Sequence, residues 1–279
     1  MTTAADFGRA ERLAASLVAR HDFAEAVRLL NDAGVLPMPL KGVLLQHLVY
    51  RDPSERVLSD ADLLVPPGRF DDAIAALRAA GYRVDPEGRA ARPAKGPEAR
   101  LEVDVHRRAF SPGLFDLDAA GMFARGAIDE TTFDAVVVLP DPRDLYAHLV
   151  GNFAKARKVA SARAQLRDFS AVASRYALAA QPVARHLERH GLARAARYAL
   201  RHADDPFSAE VLRALRADPV GVAAASVARR LTARFGPHAK LSIVAPHLVN
   251  RTLGRGALSV GAHVAIGLRT RIAYRLTRR

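Results

Sequence analysis

Two aspartates one residue apart, Asp60 and Asp62, lie inside the mostly apolar stretch 57–65. This stretch favours a β-strand, and because side chains alternate along a strand, both carboxylates would lie on one face. Two neighbouring carboxylates repel each other unless a cation lies between them, and oxygen ligands favour Mg²⁺ over zinc. Asp60 and Asp62 are therefore candidate magnesium ligands. The simpler interpretation is a solvated strand end.

A second acidic strand is predicted at 101–106, where apolar residues alternate with Glu102, Asp104 and His106. Either Glu102 or Asp104 could bring a third carboxylate to the same metals, because both would lie on one face. Carboxylates around two Mg²⁺ ions are the arrangement of two-metal phosphoryl transfer, in which the ions activate a hydroxyl and stabilise the leaving oxygen. The chain has no cysteine, which excludes disulfides, thiolate catalysis and iron–sulfur clusters.

These strands belong to a part of the chain in which short elements of both kinds alternate. Helices are predicted at 3–32, 43–50 and 70–80, strands at 35–40, 57–65, 82–84, 101–106 and 136–139, and a loop at 85–99. From residue 141 onward the periodicity predicts helices only, at 141–156, 163–179, 181–202, 207–217 and 220–235. We therefore expect an α+β fold, with a small mixed-sheet domain over 1–158 followed by a basic α-helical domain over 159–279.

Further short motifs accompany the acidic strands in a fixed order. In chain order they are Pro39–Leu40–Lys41–Gly42, Arg56, Ser59–Asp60–Ala61–Asp62–Leu63–Leu64–Val65, Gly81–Tyr82, Asp104–Val105–His106 and Leu166–Arg167–Asp168. Because their order, spacing and strand context agree, residues 35–175 resemble the uncharacterised bacterial nucleotidyltransferases of the DNA polymerase β-like superfamily.

The resemblance implies a nucleotidyltransferase-like fold and an enzyme that moves a nucleoside monophosphate from an NTP to a hydroxyl, releasing pyrophosphate. It implies that Asp60, Asp62 and Asp104 bind two Mg²⁺ ions, and that Asp104 helps to deprotonate the acceptor hydroxyl. Lys41 and Gly42 stand where the superfamily has a Gly-Ser helix start that receives nucleotide phosphates. A helix N-terminus beside an ammonium also suits phosphate.

Several of these positions have a structural interpretation beside the functional one. Lys41 is either a phosphate contact or an ordinary solvated helix start. Arg56 either binds a phosphate or carboxylate of the site, or forms a structural ion pair. His106 either takes part in nucleotide binding or is a hydrogen-bonded structural imidazole. His186 and His190 have the spacing of a zinc-binding helix, but their Arg-rich context favours a solvated basic face.

The net charge of +13 is distributed unevenly along the chain. Residues 1–150 contain 18 Lys and Arg against 23 Asp and Glu, whereas residues 151–279 contain 24 against 6. The predicted metal-binding part is therefore acidic and the helical part strongly basic. Three roles stay open for the basic half: a solvated surface, an electrostatic wall that holds anionic substrates, or a surface for nucleic acid or an anionic membrane.

The chain begins without the basic and apolar segments of a signal peptide, and no stretch approaches the roughly 20 apolar residues of a membrane-spanning helix. We therefore expect a soluble, cytoplasmic protein. The Arg-rich, Lys-poor composition is typical of a GC-rich bacterial gene.

Together these features predict an Mg²⁺-dependent nucleotidyltransferase acting on a small molecule, glycan or peptide hydroxyl, since an acidic catalytic half repels long polyanions. The alternative is a catalytically degenerate nucleotidyltransferase-like module whose basic helical half binds an anionic partner.

Overall fold

The computed structural model describes residues 4–56, 58, 60–84, 90–93, 101–111, 114–155, 163–223, 226 and 230. The chain divides into two compact units, Met1–Ala109 with Asp118–Leu145, and Phe110–Leu117 with Tyr146–Arg279. The domain boundary predicted at residue 158 lies outside the described residues and stays a prediction.

The first unit contains a mixed set of helices and strands. Its helices are α1 (Ala4–Asp32), α2 (Lys41–Leu48), α3 (Phe70–Ala79) and α4 (Ala119–Arg125), and α5 (Pro142–Lys155) begins in it and continues into the second unit. Its strands are β1 (Met38–Leu40), β2 (Asp60–Leu64), β3 (Tyr82–Val84), β4 (Ala90–Pro93), β5 (Glu102–His106), β6 (Ala127–Asp129) and β7 (Val137–Leu139). The predicted α+β class is confirmed.

Five of these strands form a mixed sheet in the order β1-β2-β5-β4-β3, and β6 pairs with β7. Strands β2 and β5 are parallel, whereas the other neighbours in the sheet are antiparallel. β1 lies at an edge of the sheet, as predicted. Proline has no backbone N–H, so Pro39 is tolerated in an edge strand, which has a neighbour on one side only.

One face of the two central strands lies in the core of the unit. Ala61 and Leu63 of β2 are completely buried, and Val103 and Val105 of β5 are each 1% exposed. Helix α2 packs against β2, and α3 packs against β3 and β5. Because side chains alternate along a strand, burying these four residues turns the acidic residues between them to the opposite face.

The second unit contains helices and no strand over its described residues. Its helices are α6 (Arg163–Arg175), α7 (Ala180–Arg189), α8 (Ala193–Ala199) and α9 (Pro206–Ala214), with a 3₁₀ turn at Leu200–His202. The ring of Tyr146 packs against those of Phe169 and Phe207, with centroid distances of 5.8 and 5.6 Å. The predicted helix 181–202 is interrupted at Gly191, whose φ of 69° belongs to the left-handed region.

Two sequence predictions need correction here. The predicted loop 85–99 contains β4, which lies between β5 and β3 in the sheet. The predicted solvated face of α7 is wrong for His186, which is only 4% exposed. The predicted helix 220–235 and the basic tail extend beyond the described residues and stay predictions.

Within the described part of the chain, no helix is long and apolar enough to cross a membrane.

Candidate active site

The acidic residues of two strands meet because β2 and β5 are parallel neighbours. Asp62 lies opposite Asp104 in the ladder, and Asp60 lies opposite Glu102. Residues opposite each other share a face of the sheet, so all four carboxylates are on the face opposite Ala61, Leu63, Val103 and Val105. The register therefore places Asp104, rather than Glu102, beside Asp62.

His106 joins these two aspartates. Its Nε2 lies 2.7 Å from Asp62 Oδ1 and 3.4 Å from Asp104 Oδ2. One ligand atom of each of the three residues lies within 4.8 Å of the other two. The carboxylate oxygens of Asp62 and Asp104 can contribute to one divalent cation after small side-chain rotations, since carboxylates are the donors that Mg²⁺ and Mn²⁺ prefer. The His106 Nε2–H instead donates a hydrogen bond to Asp62. The residues present therefore fit a divalent metal.

Asp60 occupies a different position from the other two aspartates. It is the exposed first residue of β2, two residues before Asp62 on the same face. Among the described residues it is not part of the cluster formed by Asp62, Asp104 and His106. Its predicted role as a metal ligand stays a prediction.

Lys41 reaches the cluster from the neighbouring strand. It follows Leu40, the last residue of β1, which lies opposite Asp62 in the ladder. Helix α2 begins at Lys41 with no connecting residue, and the φ of Lys41 is 51°, in the left-handed region that favours glycine. This sharp turn brings the ammonium Nζ of Lys41 into contact with Asp62 Oδ1.

Asp62 is therefore a buried carboxylate held by two donors. Its side chain is 5% exposed, against 21% for Lys41 and 24% for His106. Burial by itself raises the pKa of Asp62, but the hydrogen bond from His106 and the charge of Lys41 outweigh burial and hold that pKa below its ordinary value. The carboxylate is consequently ionised at neutral pH.

The start of α2 has two further features, an N-cap without a side-chain hydrogen bond, which suits an anion, and a close approach to the segment before β2. Its N-cap residue, Leu40, makes no side-chain cap hydrogen bond, because leucine has no acceptor to offer the first-turn amides. Gly42 lies close to Leu58, and a Cβ added at Gly42 would come 3.2 Å from Leu58 Cδ2. A larger residue at position 42 would therefore push against the segment that leads into β2.

The segment before β2 is positioned by a buried glutamine that the sequence interpretation missed. Gln46 is completely buried in α2, and its Nε2 donates to the carbonyls of Pro53 and Arg56, at 3.2 and 2.9 Å. Arg20 of α1 donates to Oε1 and to the backbone carbonyl of Gln46, at 3.0 and 2.7 Å. Gln46 stands among the mostly apolar residues 43–48, and this position in the sequence could have indicated a buried polar side chain.

The structure thus sorts the predicted site residues by position. It brings Lys41 and His106 into contact with Asp62 Oδ1. His106 Nε2 also lies 3.4 Å from Asp104 Oδ2. Arg56 contributes its backbone carbonyl to the Gln46 network, and its predicted contact with a phosphate stays a prediction. Asp168, which was part of the motif pattern, is completely buried in α6 of the second unit.

Comparison with known protein families identifies the family of the chain. The model of a family described as "Uncharacterised nucleotidyltransferase" matches residues 7–208. No curated protein and no solved structure matches the chain. The matched segment covers well over half of the 279 residues and contains every candidate site residue. Membership supports nucleotidyl transfer as the general reaction, with an NTP as the substrate. The chain belongs to this uncharacterised nucleotidyltransferase family.

Proposed function

We propose that this protein is an Mg²⁺-dependent nucleotidyltransferase that moves a nucleoside monophosphate from an NTP to a hydroxyl of a small molecule, glycan or peptide. The observation that carries the proposal is the alignment of Asp62 with Asp104 on one face of the sheet, with Lys41 in contact with Asp62. Paired carboxylates beside a cation suit a triphosphate and its metal, and the family supports the reaction class.

In this proposal Asp60, Asp62 and Asp104 hold two Mg²⁺ ions. The aligned oxygens of Asp62 and Asp104 fit a hard divalent cation, as described above. Bound magnesium supplies Lewis-acid activation of the acceptor hydroxyl and neutralises charge on the phosphates. His106 donates its Nε2–H to Asp62 and so fixes the orientation of that carboxylate.

The chain's own groups bind the nucleotide and accept the proton. Lys41 and the first-turn amides of α2, beginning near Gly42, bind phosphate oxygens. The acceptor oxygen bonds to the α-phosphorus while the α–β phosphoanhydride bond breaks and pyrophosphate leaves. Asp104, whose side chain is 31% exposed, is more accessible than Asp62 and takes the hydroxyl proton.

The proposed acceptor class follows from charge. Residues 1–150 carry a net charge of −5, which disfavours a long polyanion such as a nucleic-acid end near the carboxylates. A small molecule, glycan or peptide avoids this repulsion. The basic half of the chain is the part that would hold an anionic acceptor.

Calorimetry with Mg²⁺ and a non-hydrolysable ATP analogue tests the proposal. The wild type should bind, whereas Asp62→Asn and Asp104→Asn should each lose at least about tenfold in affinity. Asp72→Asn, which removes an exposed acid from α3, is the matched control and should bind like the wild type. Incubation of candidate acceptors with all four NTPs and Mg²⁺ should then give the mass increase of one nucleoside monophosphate.

Two results would count against the enzyme. One is a wild type that binds no Mg²⁺·nucleotide, and the other is binding that survives in both site variants. Either result would favour the alternative of a catalytically degenerate module. In that case a salt series with DNA, RNA and anionic vesicles would test the basic half of the chain.

A further inference from the structure

We infer that Lys41 is an internal counter-cation that competes with the metal ion for Asp62 and is released by the nucleotide. The site should therefore bind a divalent cation weakly alone and tightly together with an NTP. This inference rests on the proposed function and adds an obligatory coupling between its two ligands.

One carboxylate oxygen of the site is crowded by two donors. Asp62 Oδ1 receives both Lys41 Nζ and His106 Nε2, and the Asp62 side chain is only 5% exposed. A cation that binds Asp62 must therefore come close to the ammonium of Lys41. Like charges at a half-buried site repel strongly because solvent screens them poorly. The metal and the ammonium are thus alternatives at this carboxylate.

The backbone of Lys41 is strained. Its φ of 51° is costly for a residue with a Cβ, and the β1–α2 turn would be relaxed with glycine at this position. Lysine stands there instead, and its side chain reaches Asp62. The ammonium–carboxylate contact is what compensates for the strained backbone in the absence of ligands.

A nucleotide bound at the start of α2 gives the ammonium of Lys41 another anion to contact. The start of α2, which Leu40 does not cap, offers amides to an anion, and a triphosphate bound there would lie beside Lys41. Lysine has a long flexible side chain, so a small rotation exchanges the carboxylate for a phosphate oxygen. A nucleotide therefore removes the competitor for Asp62, and by linkage the metal strengthens nucleotide binding by the same factor.

A purely structural ion pair makes a different prediction. If Lys41 only stabilised the turn between β1 and α2, its removal would lower stability and would not improve metal binding. The two roles are therefore separated by the sign of one change, the affinity of the nucleotide-free protein for a divalent cation.

The test measures Mn²⁺ binding by electron paramagnetic resonance of the free ion, first alone and then with a non-hydrolysable ATP analogue. Lys41→Met should bind Mn²⁺ alone about tenfold more tightly than the wild type, because one competing charge is gone. With the analogue present, Lys41→Met should bind about tenfold more weakly, and most of the coupling between the ligands should disappear. Lys41→Arg keeps the charge and should retain the coupling.

Two further variants guard the result. Arg78→Met removes an exposed cation from α3 and should leave Mn²⁺ binding unchanged, which controls for overall charge. Lys41→Gly removes the ammonium and also relaxes the left-handed turn, so it covers the case in which Lys41→Met fails to fold. Lys41→Gly should tighten Mn²⁺ binding in the same way.

The inference is overturned if neither Lys41→Met nor Lys41→Gly binds Mn²⁺ more tightly than the wild type. If the wild type still binds Mg²⁺·nucleotide in a manner that depends on Asp62, the proposed function stands and only the counter-cation role is refuted. If the wild type binds neither the metal nor the nucleotide, the proposed function fails together with the inference.

Discussion

Replacing Asp62 by asparagine should destabilise the first unit in addition to weakening metal binding. His106 and Lys41 hold the pKa of Asp62 below its ordinary value of 3.8 despite burial, so the folded site favours the ionised form over a neutral one. For an acid with a lowered pKa, this stabilisation is fully present above the unfolded pKa and is lost as the pH falls through the folded pKa. Asparagine lacks the charge at every pH.

The magnitude follows from the two donors that Asp62 accepts. Both donors reach Oδ1, and asparagine keeps an acceptor oxygen there without the charge. A hydrogen bond to a charged group contributes about 1.5–3 kcal/mol and a neutral one about 0.5–1.5 kcal/mol, so each bond weakens by about 1 kcal/mol. The side chains of Lys41 and His106 keep 21% and 24% exposure, so water recovers part of this cost. We expect a loss of about 2 kcal/mol in the free energy of unfolding for Asp62→Asn at pH 7.

Asp104→Asn is the matched comparison for this prediction. Asp104 is 31% exposed and its His106 contact is 3.4 Å long, so its removal should cost less than about 0.5 kcal/mol. Urea unfolding followed by circular dichroism measures both variants, and a double-mutant cycle of Asp62→Asn with Lys41→Met should give a coupling of about 1 kcal/mol. The reasoning fails if Asp62→Asn is as stable as the wild type, or if Asp104→Asn costs as much stability as Asp62→Asn.

The difference in the free energy of unfolding between wild type and Asp62→Asn should shrink as the pH falls below 3.8.

Two further predictions concern the residues that support the site. Burial is the main cause that lowers the pKa of His47 to about 4, so between this value and the ordinary 6.5 the unfolded chain binds the extra proton. Stability should therefore fall by roughly 3 kcal/mol as the pH drops through that window, and His47→Gln should remove this slope, whereas exposed His21→Gln should keep it. Gln46→Leu should cost about 2 kcal/mol in urea unfolding, because the carbonyls of Pro53 and Arg56 lose the Gln46 donor and Arg20 loses the side-chain acceptor Oε1. It should also weaken Mg²⁺·nucleotide binding by displacing the segment before β2. A loss below about 1 kcal/mol would show that water replaces the glutamine.

Local patterns in the sequence were sufficient for the elements that carry the site. The alternation of acidic and apolar residues in β2 and β5 depends only on the two-residue period of a strand. Gly34, which follows the end of α1, has a φ of 69°, a left-handed conformation that costs least for glycine because it has no Cβ. These features depend on near neighbours along the chain, and near neighbours are visible in a sequence.

Elements that depend on distant neighbours were missed. β4 contains two alanines and a proline, residues of low strand propensity, and it exists because β5 and β3 offer hydrogen bonds on both sides. The hydrogen bonds of Gln46 to Arg20 and to the turn before β2 likewise join segments that the sequence does not place together.

The sequence by itself determined which side chains share a face of each strand, and it identified Asp62, Asp104, His106 and Lys41 as candidates. Tertiary structure decided how they align. A slip of β5 by two residues would keep every acid on the same face and yet set Asp60, rather than Asp62, opposite Asp104. Packing of the two strands in the core selects one register, and only that register, together with the sharp turn at Lys41, builds a single site around Asp62.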